Sequence, residues 1–197
     1  MLFRSVSQSR YQEFVEALRE IGYYCHYEVL NTKDYGVPQN RERIFLVGFL
    51  DHEAYYRFAF APKITLKKRL KDVLEPTVDE KYYLSQKMTE YLYSHGSRHL
   101  SFGGRFKIKN IHQDIANCLC KSHDTCPTDN FIQDDKGIRK LTNLEKLRLQ
   151  DFPDTFKQVV SDSQMYKQAG NSMTVAVLEI IFRQIEKAKR KEITTLL

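Results

Sequence analysis

The stretch Ile44-Phe45-Leu46-Val47-Gly48 constrains this chain more than any other part of it. Extended, it has no face suited to water, so it reads as a strand central in a sheet and covered on both sides. Just upstream stands Tyr35-Gly36-Val37-Pro38-Gln39-Asn40-Arg41-Glu42-Arg43, a polar turn leading into that strand. Residues two apart on a strand share a face, so Gln39, Arg41 and Arg43 are expected along one side. Two guanidiniums and an amide projecting together from a buried strand need acceptors. Carboxylates of the same domain are one source. The other is a phosphate or the carbonyl of a base, which the planar fork of Arg engages at two acceptors at once.

The neighbouring segments predict an α/β domain. Ser9 with Gln12, then apolar residues at Tyr11, Phe14, Val15, Leu18 and Ile21 and a Gly22 beyond, predict a capped, one-faced helix. Residues 23–30 are rich in aromatic and β-branched types and predict a strand. Helix, strand, turn, strand is the ending of an α/β domain. Such folds usually open with a strand and a Gly-rich nucleotide turn, and neither occurs here. Between about residues 61 and 139 the periodicity weakens. Short helices are expected over 66–74 and 84–92 and a pair of strands within 102–119, together a small irregular domain with loops exposed for binding. Thr142 and Glu145 form a capping box ahead of Leu144, Leu147 and Leu149, and Phe152-Pro153 stops that helix. A last helix is expected from near Ser172, burying Val175, Leu178, Ile181, Phe182 and Ile185, before a solvated basic tail at 187–191.

Composition narrows the partners. A chain of 197 residues with 42% hydrophobic content has room for one core, or one core plus a small appendage. The net charge of +6 suits an anionic partner without naming one. No apolar run approaches a membrane span, and Met1-Leu2-Phe3 is followed at once by Arg4 and polar residues, so a cytoplasmic location is the default expectation, with no membrane partner. Four cysteines, at 25, 118, 120 and 126, are too few and too clustered for a disulfide framework. Cys118, Cys120, His123 and Cys126 do place four soft ligands within nine residues, but they do not form two separated pairs. Reduced thiols, and no metal, are expected.

At this point three motifs carry a resemblance. Gly36-Val37-Pro38-Gln39-Asn40-Arg41-Glu42-Arg43 resembles the Gln-x-Arg-x-Arg motif of DNA cytosine-5 methyltransferases. Arg139-Lys140-Leu141-Thr142 through Glu145, Arg148-Leu149-Gln150 and Phe152-Pro153-Asp154 is similar to that family's next motif, and Gln168-Ala169-Gly170-Asn171-Ser172 to its last. The three stand in the family's order, with a variable stretch between the first two. The resemblance implies transfer of a methyl group from S-adenosyl-L-methionine to carbon 5 of a cytosine flipped out of double-stranded DNA, in an enzyme of restriction-modification type. In that family a cysteine thiolate attacks carbon 6, a glutamate protonates ring nitrogen 3, and an arginine of the Gln-x-Arg-x-Arg motif holds the base oxygen. By position that arginine is Arg43, with Arg41 beside it; Gln39 is expected to support the backbone and the neighbouring domain. Asn171 and Ser172 match the motif that closes the cofactor pocket, with capping of the last helix the plainer use of Ser172.

The implied fold class is α/β: a partial, Rossmann-like methyltransferase large domain plus a small, strand-rich target-recognition domain. Its expected boundaries are 1–71 for the C-terminal part of the large domain, 72–169 for target recognition and hinge, and 170–197 for a helix returning to the large domain. The candidate DNA contacts are Arg105, Lys107 and Lys109, alternating after Gly103-Gly104, with Lys121 and Arg139. Such side chains read guanine, hold phosphate, or simply form a solvated face. Cys118 stands where threonine is usual, which puts a hydroxyl-to-backbone contact in question. Asp151 stands where glycine is common, which matters little if the turn avoids positive φ. The family's Gly-rich turn, Pro-Cys nucleophile loop and Glu-Asn-Val acid do not occur here, and no cysteine of this chain follows a proline. The chain alone is therefore expected to be inactive and to bind S-adenosyl-L-methionine poorly, its partner being an N-terminal half that carries the nucleophile. The competing expectation is a non-catalytic or decayed DNA-binding or regulatory module, with an RNA-methylating variant behind it.

Overall fold

The computed structural model describes residues 8–94, 108–110, 115–119 and 130–190. They fall into two compact units. The first comprises the described parts of Met1–Leu30, Arg43–Pro62 and Glu179–Leu197; the second comprises Asn31–Glu42 and the described parts of Lys63–Leu178. The seams between these units fall at residues 30/31, 42/43, 62/63 and 178/179.

In the first unit, helix α1 (Gln8–Glu20) ends where Gly22 takes a φ of 92°, and the N–H groups of Gly22 and Tyr23 return to the carbonyls of Arg19 and Leu18. Only glycine enters that left-handed turn without strain. Of the apolar face read from the sequence, Val15 is buried, while Phe14 and Ile21 stand exposed. Strand β1 (Tyr24–Asn31) pairs with β3 (Glu42–Phe49) in a two-stranded sheet. Val47 and Phe49 are buried and 44–46 half-buried. The expected central position of β3 is thus not met among the described residues, where β1 is its strand neighbour. A short helix α2 (His52–Arg57), not foreseen, is capped by Asp51, whose carboxylate accepts from the N–H groups of Glu53 and Ala54. It brings Tyr55 into a stack with His26 at 4.2 Å, while Phe58 just beyond packs on Phe49 at 5.3 Å. Arg57 donates to the carbonyl of Ala188, tying α2 to the end of helix α6 (Val175–Lys189).

The second unit holds the middle of the chain. A two-residue strand β2 (Gln39–Asn40) pairs in parallel with β5 (Ala116–Asn117). A three-stranded sheet places β4 (Ile108–Asn110) parallel to β6 (Phe131–Asp134), and β6 antiparallel to β7 (Gly137–Lys140). The β6–β7 hairpin was not legible; its turn is built by Asp134, whose carboxylate accepts from the N–H groups of Lys136 and Gly137. The helix expected over 66–74 is a single 3-10 turn (Leu70–Asp72), whereas the one over 84–92 is present as α3 (Gln86–Ser94). The capping box at Thr142 and Glu145 opens α4 (Asn143–Arg148) as read. A helix α5 (Asp162–Asn171) follows that was not foreseen, burying Met165, Tyr166 and Ala169. Leu70, Val73, Ala116, Leu119, Ile132, Leu141 and Leu149 form the main core. No helix among the described residues is long and apolar enough to cross a membrane.

Candidate functional site

The first motif does not form one continuous strand. The N–H of Gln39 turns back to the carbonyl of Val37 (2.7 Å) and that of Arg41 to the carbonyl of Gln39 (3.1 Å), so the chain kinks between β2 and β3. The expected alignment of Gln39, Arg41 and Arg43 along one side is therefore broken at Arg41. Thr32 closes the kink, its N–H and hydroxyl both donating to the carbonyl of Arg41, and Asn31 accepts the N–H of Arg41 at 3.2 Å.

Each side chain of the motif then goes its own way. Gln39 is fully buried; its amide donates to the carbonyl of Leu149 at 2.6 Å and its oxygen accepts the N–H of Leu119 at 3.0 Å. Arg41, 4% exposed, donates through one terminal nitrogen to the carbonyl of Leu119 and the sulfur of Cys118, both at 3.3 Å. The other terminal nitrogen reaches the carbonyls of Gly170 (3.1 Å) and Ser172 (2.7 Å). Those carbonyls lie at the C-terminal end of α5, where backbone acceptors lack intrahelical partners and the helix dipole favours a cation. Cys118 thus supplies a sulfur acceptor where the hydroxyl was in question. Arg43 is exposed.

The second and third motifs meet the first through the same buried residues. Gln150, fully buried, donates to the carbonyl of Ala169 at 2.9 Å and accepts the hydroxyl of Thr174 at 2.8 Å; its own carbonyl accepts the N–H of Val175. The hydroxyls of Thr174 and Thr32 are 3.2 Å apart. In sequence Gln150 stands in the second motif with no role of its own and Thr32 and Thr174 lie outside the motifs, since nothing local marks a threonine as buried. Gly170-Asn171-Ser172 ends α5 and does not open α6: Ser172 caps, with its N–H on the carbonyl of Gln168 and its hydroxyl on that of Ala169. The capping expected of Ser172 at the start of the last helix is thus found at the end of α5 instead. Asn171 is exposed.

Arg139, expected to face DNA, is instead 2% exposed and forked onto Glu145 by two bonds of 2.9 Å, with its Nε on Asp134 at 3.0 Å. Glu145 also accepts the N–H groups of Thr142 and Glu75, and the hydroxyl of Thr142 donates to the carboxylate of Glu75. Such a guanidinium is a structural cation, its charge matched inside the protein. Asp134 loses some acidity to burial, but the Tyr83 hydroxyl, two backbone N–H groups and Arg139 outweigh that and hold it below the ordinary carboxylate value. Asp151 does adopt a positive φ, 59°, the only non-glycine to do so among the described residues, so its departure from glycine carries strain. Arg105, Lys107, Lys121, Cys120, His123 and Cys126 lie outside the described residues, as does the side chain of Lys109, which sits on β4. Among the described residues no cluster of three metal-ligating side chains occurs.

The architecture defines a class first. Solved structures with this arrangement include the Entamoeba histolytica methyltransferase EhMeth (TM-score 0.71, 18% identity, 92% of this chain and 59% of that one) and the S. pombe Dnmt2 methyltransferase (TM-score 0.70, 20% identity, 92% and 62%). In sequence, type II methyltransferase M.NlaX of Neisseria lactamica is 37% identical over 180 residues, covering 90% of this chain and 57% of the relative. Type II methyltransferase M.HpaII of Haemophilus parainfluenzae is 36% identical over 191 residues, covering 87% and 53%. The C-5 cytosine-specific DNA methylase model matches residues 1–187, and the chain belongs to that family, whose cofactor is S-adenosyl-L-methionine. The chain spans about half the length of the relatives it matches.

Proposed function

We propose that this chain is the target-recognition and base-holding part of a DNA cytosine-5 methyltransferase of restriction-modification type. The observation that carries the reading is the buried junction in which Gln39, Arg41, Gln150 and Thr174 bind three distant motif segments to one another. The motif continues past this junction into β3, near whose start Arg43 is exposed and is assigned to the substrate base. Attack on carbon 6 of cytosine loads negative charge onto the ring and its carbonyl; a preorganised guanidinium stabilises that charge where it develops. Gln39 and Arg41 act through position and do not touch the base. Arg105, Lys107, Lys109 and Lys121 are assigned to the duplex. The nucleophilic cysteine and the ring-protonating acid are assigned to a catalytic half outside these 197 residues, since no cysteine here follows a proline.

Toward S-adenosyl-L-methionine the described donors fit only in part. Asn171 is exposed at the end of α5, but the Ser172 hydroxyl is already engaged by Ala169 and the nearby carbonyls by Arg41. The cofactor supplies the methyl group when bound; this chain contributes Asn171 to one edge of its pocket and the rest of the grip lies in the other half. The test is co-expression with an upstream half carrying the Gly-rich turn, the Pro-Cys loop and the Glu-Asn-Val acid, followed by a 5-methylcytosine assay. Methylation that disappears with Arg43→Ala supports the reading. Duplex binding without methylation would leave a DNA-binding module and overturn the catalytic part.

A further inference from the structure

The β1–β3 sheet of the first unit is covered on both faces. On one side Tyr55 of α2 stacks on His26, and Phe58 packs on His26 (5.2 Å) and Phe49 (5.3 Å). On the other, Tyr11 of α1 meets the ring of Tyr27 edge-on at 5.2 Å. Gly48 of β3 turns to that same side, because a Cβ placed on it would stand 3.6 Å from the sulfur of Cys25, two residues before Tyr27. A sheet with both faces covered ordinarily runs to several strands, and two strands alone are marginally stable in water. Among the described residues this one stops at two.

The two strands are built differently. β1 exposes Tyr24, Tyr27 and Glu28, and a charged, wet strand of that kind discourages further pairing. β3 carries no charge and no proline from Ile44 to Phe49, yet its middle, Ile44-Phe45-Leu46, stays only half-buried despite the cover on each face. Such a strand presents apolar side chains together with a row of backbone donors and acceptors along its outer edge, which is a template for one more strand. The relatives show how much protein is available to supply it. This chain covers 57% of M.NlaX and 53% of M.HpaII, so a large part of each lies outside the match.

We propose that the outer edge of β3 takes an added strand, apolar on both faces, from the catalytic half, so that β3 becomes an interior strand of the sheet. The occupant rests on the reading that such a half completes the enzyme. The experiment co-expresses the full chain with the part of M.NlaX outside the matched region and reads mass by light scattering, association by sedimentation, amide hydrogen exchange and 5-methylcytosine formation. Expected is a complex of one copy each, in which the amides of residues 44–48 exchange roughly tenfold more slowly than in the chain alone while those of Tyr24–Leu30 keep their rates. Leu46→Lys should weaken association by roughly tenfold, since a lysine in an apolar seam must be desolvated. Tyr27→Lys, the same kind of change at an exposed position of β1, should leave association nearly unaltered. The exchange measurement uses the parental chain and does not depend on either variant folding. A complex that methylates DNA with the exchange of 44–48 unchanged overturns the strand addition and leaves the proposed function standing. Protection of 44–48 without methylation supports the strand addition and counts against the proposed function. Protection gained on β1 in place of β3, or no complex at all, overturns the proposal. Protection of 44–48 that appears in the chain alone, with a doubled mass, assigns the edge to a second copy and overturns the occupant.

Discussion

Replacing Arg41 and Arg43 one at a time separates a residue that holds its unit together from one proposed to meet substrate. Arg41→Ala removes a charged donor from the carbonyls of Leu119, Gly170 and Ser172, all served at 2.7–3.3 Å by a side chain that is 4% exposed. Bonds to charged groups contribute roughly 1.5–3 kcal/mol each, and buried acceptors left without a partner cost about 1–3. The three share one guanidinium and do not add independently. A loss of about 3–5 kcal/mol follows, a large part of the stability of an ordinary domain. Arg41→Lys should recover less than half, because one ammonium cannot span the carbonyl of Leu119, just after β5, and those of Gly170 and Ser172 at the end of α5. Arg43→Ala, at an exposed position, should stay within about 0.5 kcal/mol of the parent. Urea denaturation of the full chain followed by circular dichroism reads all three. In the reconstituted enzyme Arg43→Ala should then slow methylation at saturating DNA and cofactor by on the order of 3 kcal/mol, about a hundredfold. An Arg41→Ala chain that unfolds within about 1 kcal/mol of the parent would refute the clamp, since only bonds already lost to water are so cheap to remove.

Asp151→Gly should raise stability by up to about 1 kcal/mol, because glycine accepts a φ of 59° without strain; a lowered urea midpoint would sink that reasoning. Asp134, held below the ordinary carboxylate value despite burial, contributes stability that is fully present above about pH 4 and lost as pH falls through its depressed folded value. Asp134→Asn should accordingly flatten the acid limb of the stability profile, and an unchanged limb would assign acid unfolding elsewhere. The chain alone should show no micromolar binding of S-adenosyl-L-methionine by calorimetry, since Asn171 alone offers too few contacts for a charged cofactor. Glu145→Ala should cost about 3–5 kcal/mol by leaving Arg139 buried beside a vacated partner, checked by the same denaturation, with a cost below about 1 kcal/mol counting against the network.

What was legible in the sequence depended on how locally each feature is determined. The capping box at Thr142 and Glu145 needs residues only three apart, and α4 starts where it was read. The resemblance of three short motifs was enough to reach the family. The β6–β7 hairpin is four residues a side around Asp134-Asp135-Lys136-Gly137, too short for alternation to stand out. Helix α5 was missed because its buried positions, Met165, Tyr166 and Ala169, cover less than two turns and end in Gly170-Asn171-Ser172, read as the start of the next helix. Arg139 was misplaced because a lone arginine on a short strand gives no sign of its acceptors, and Glu145 was already accounted for as a cap.

The division of the Gln-x-Arg-x-Arg motif shows why a period-two reading fails where the backbone kinks. Alternation assumes one strand with one partner, but Gln39 pairs with β5 while Glu42 begins a strand paired with β1, and the chain passes between the two units just after Glu42. Arg41 lies at the break, with its N–H on the carbonyl of Gln39 and its own carbonyl on Thr32, so no ladder fixes its direction. Its side chain is directed instead by what it can satisfy, including the carbonyls of Gly170 and Ser172 at the end of α5. The kink thus lets one short motif carry two kinds of arginine: one buried among backbone carbonyls of its own unit, and one, two residues later on a regular strand, whose side chain is exposed.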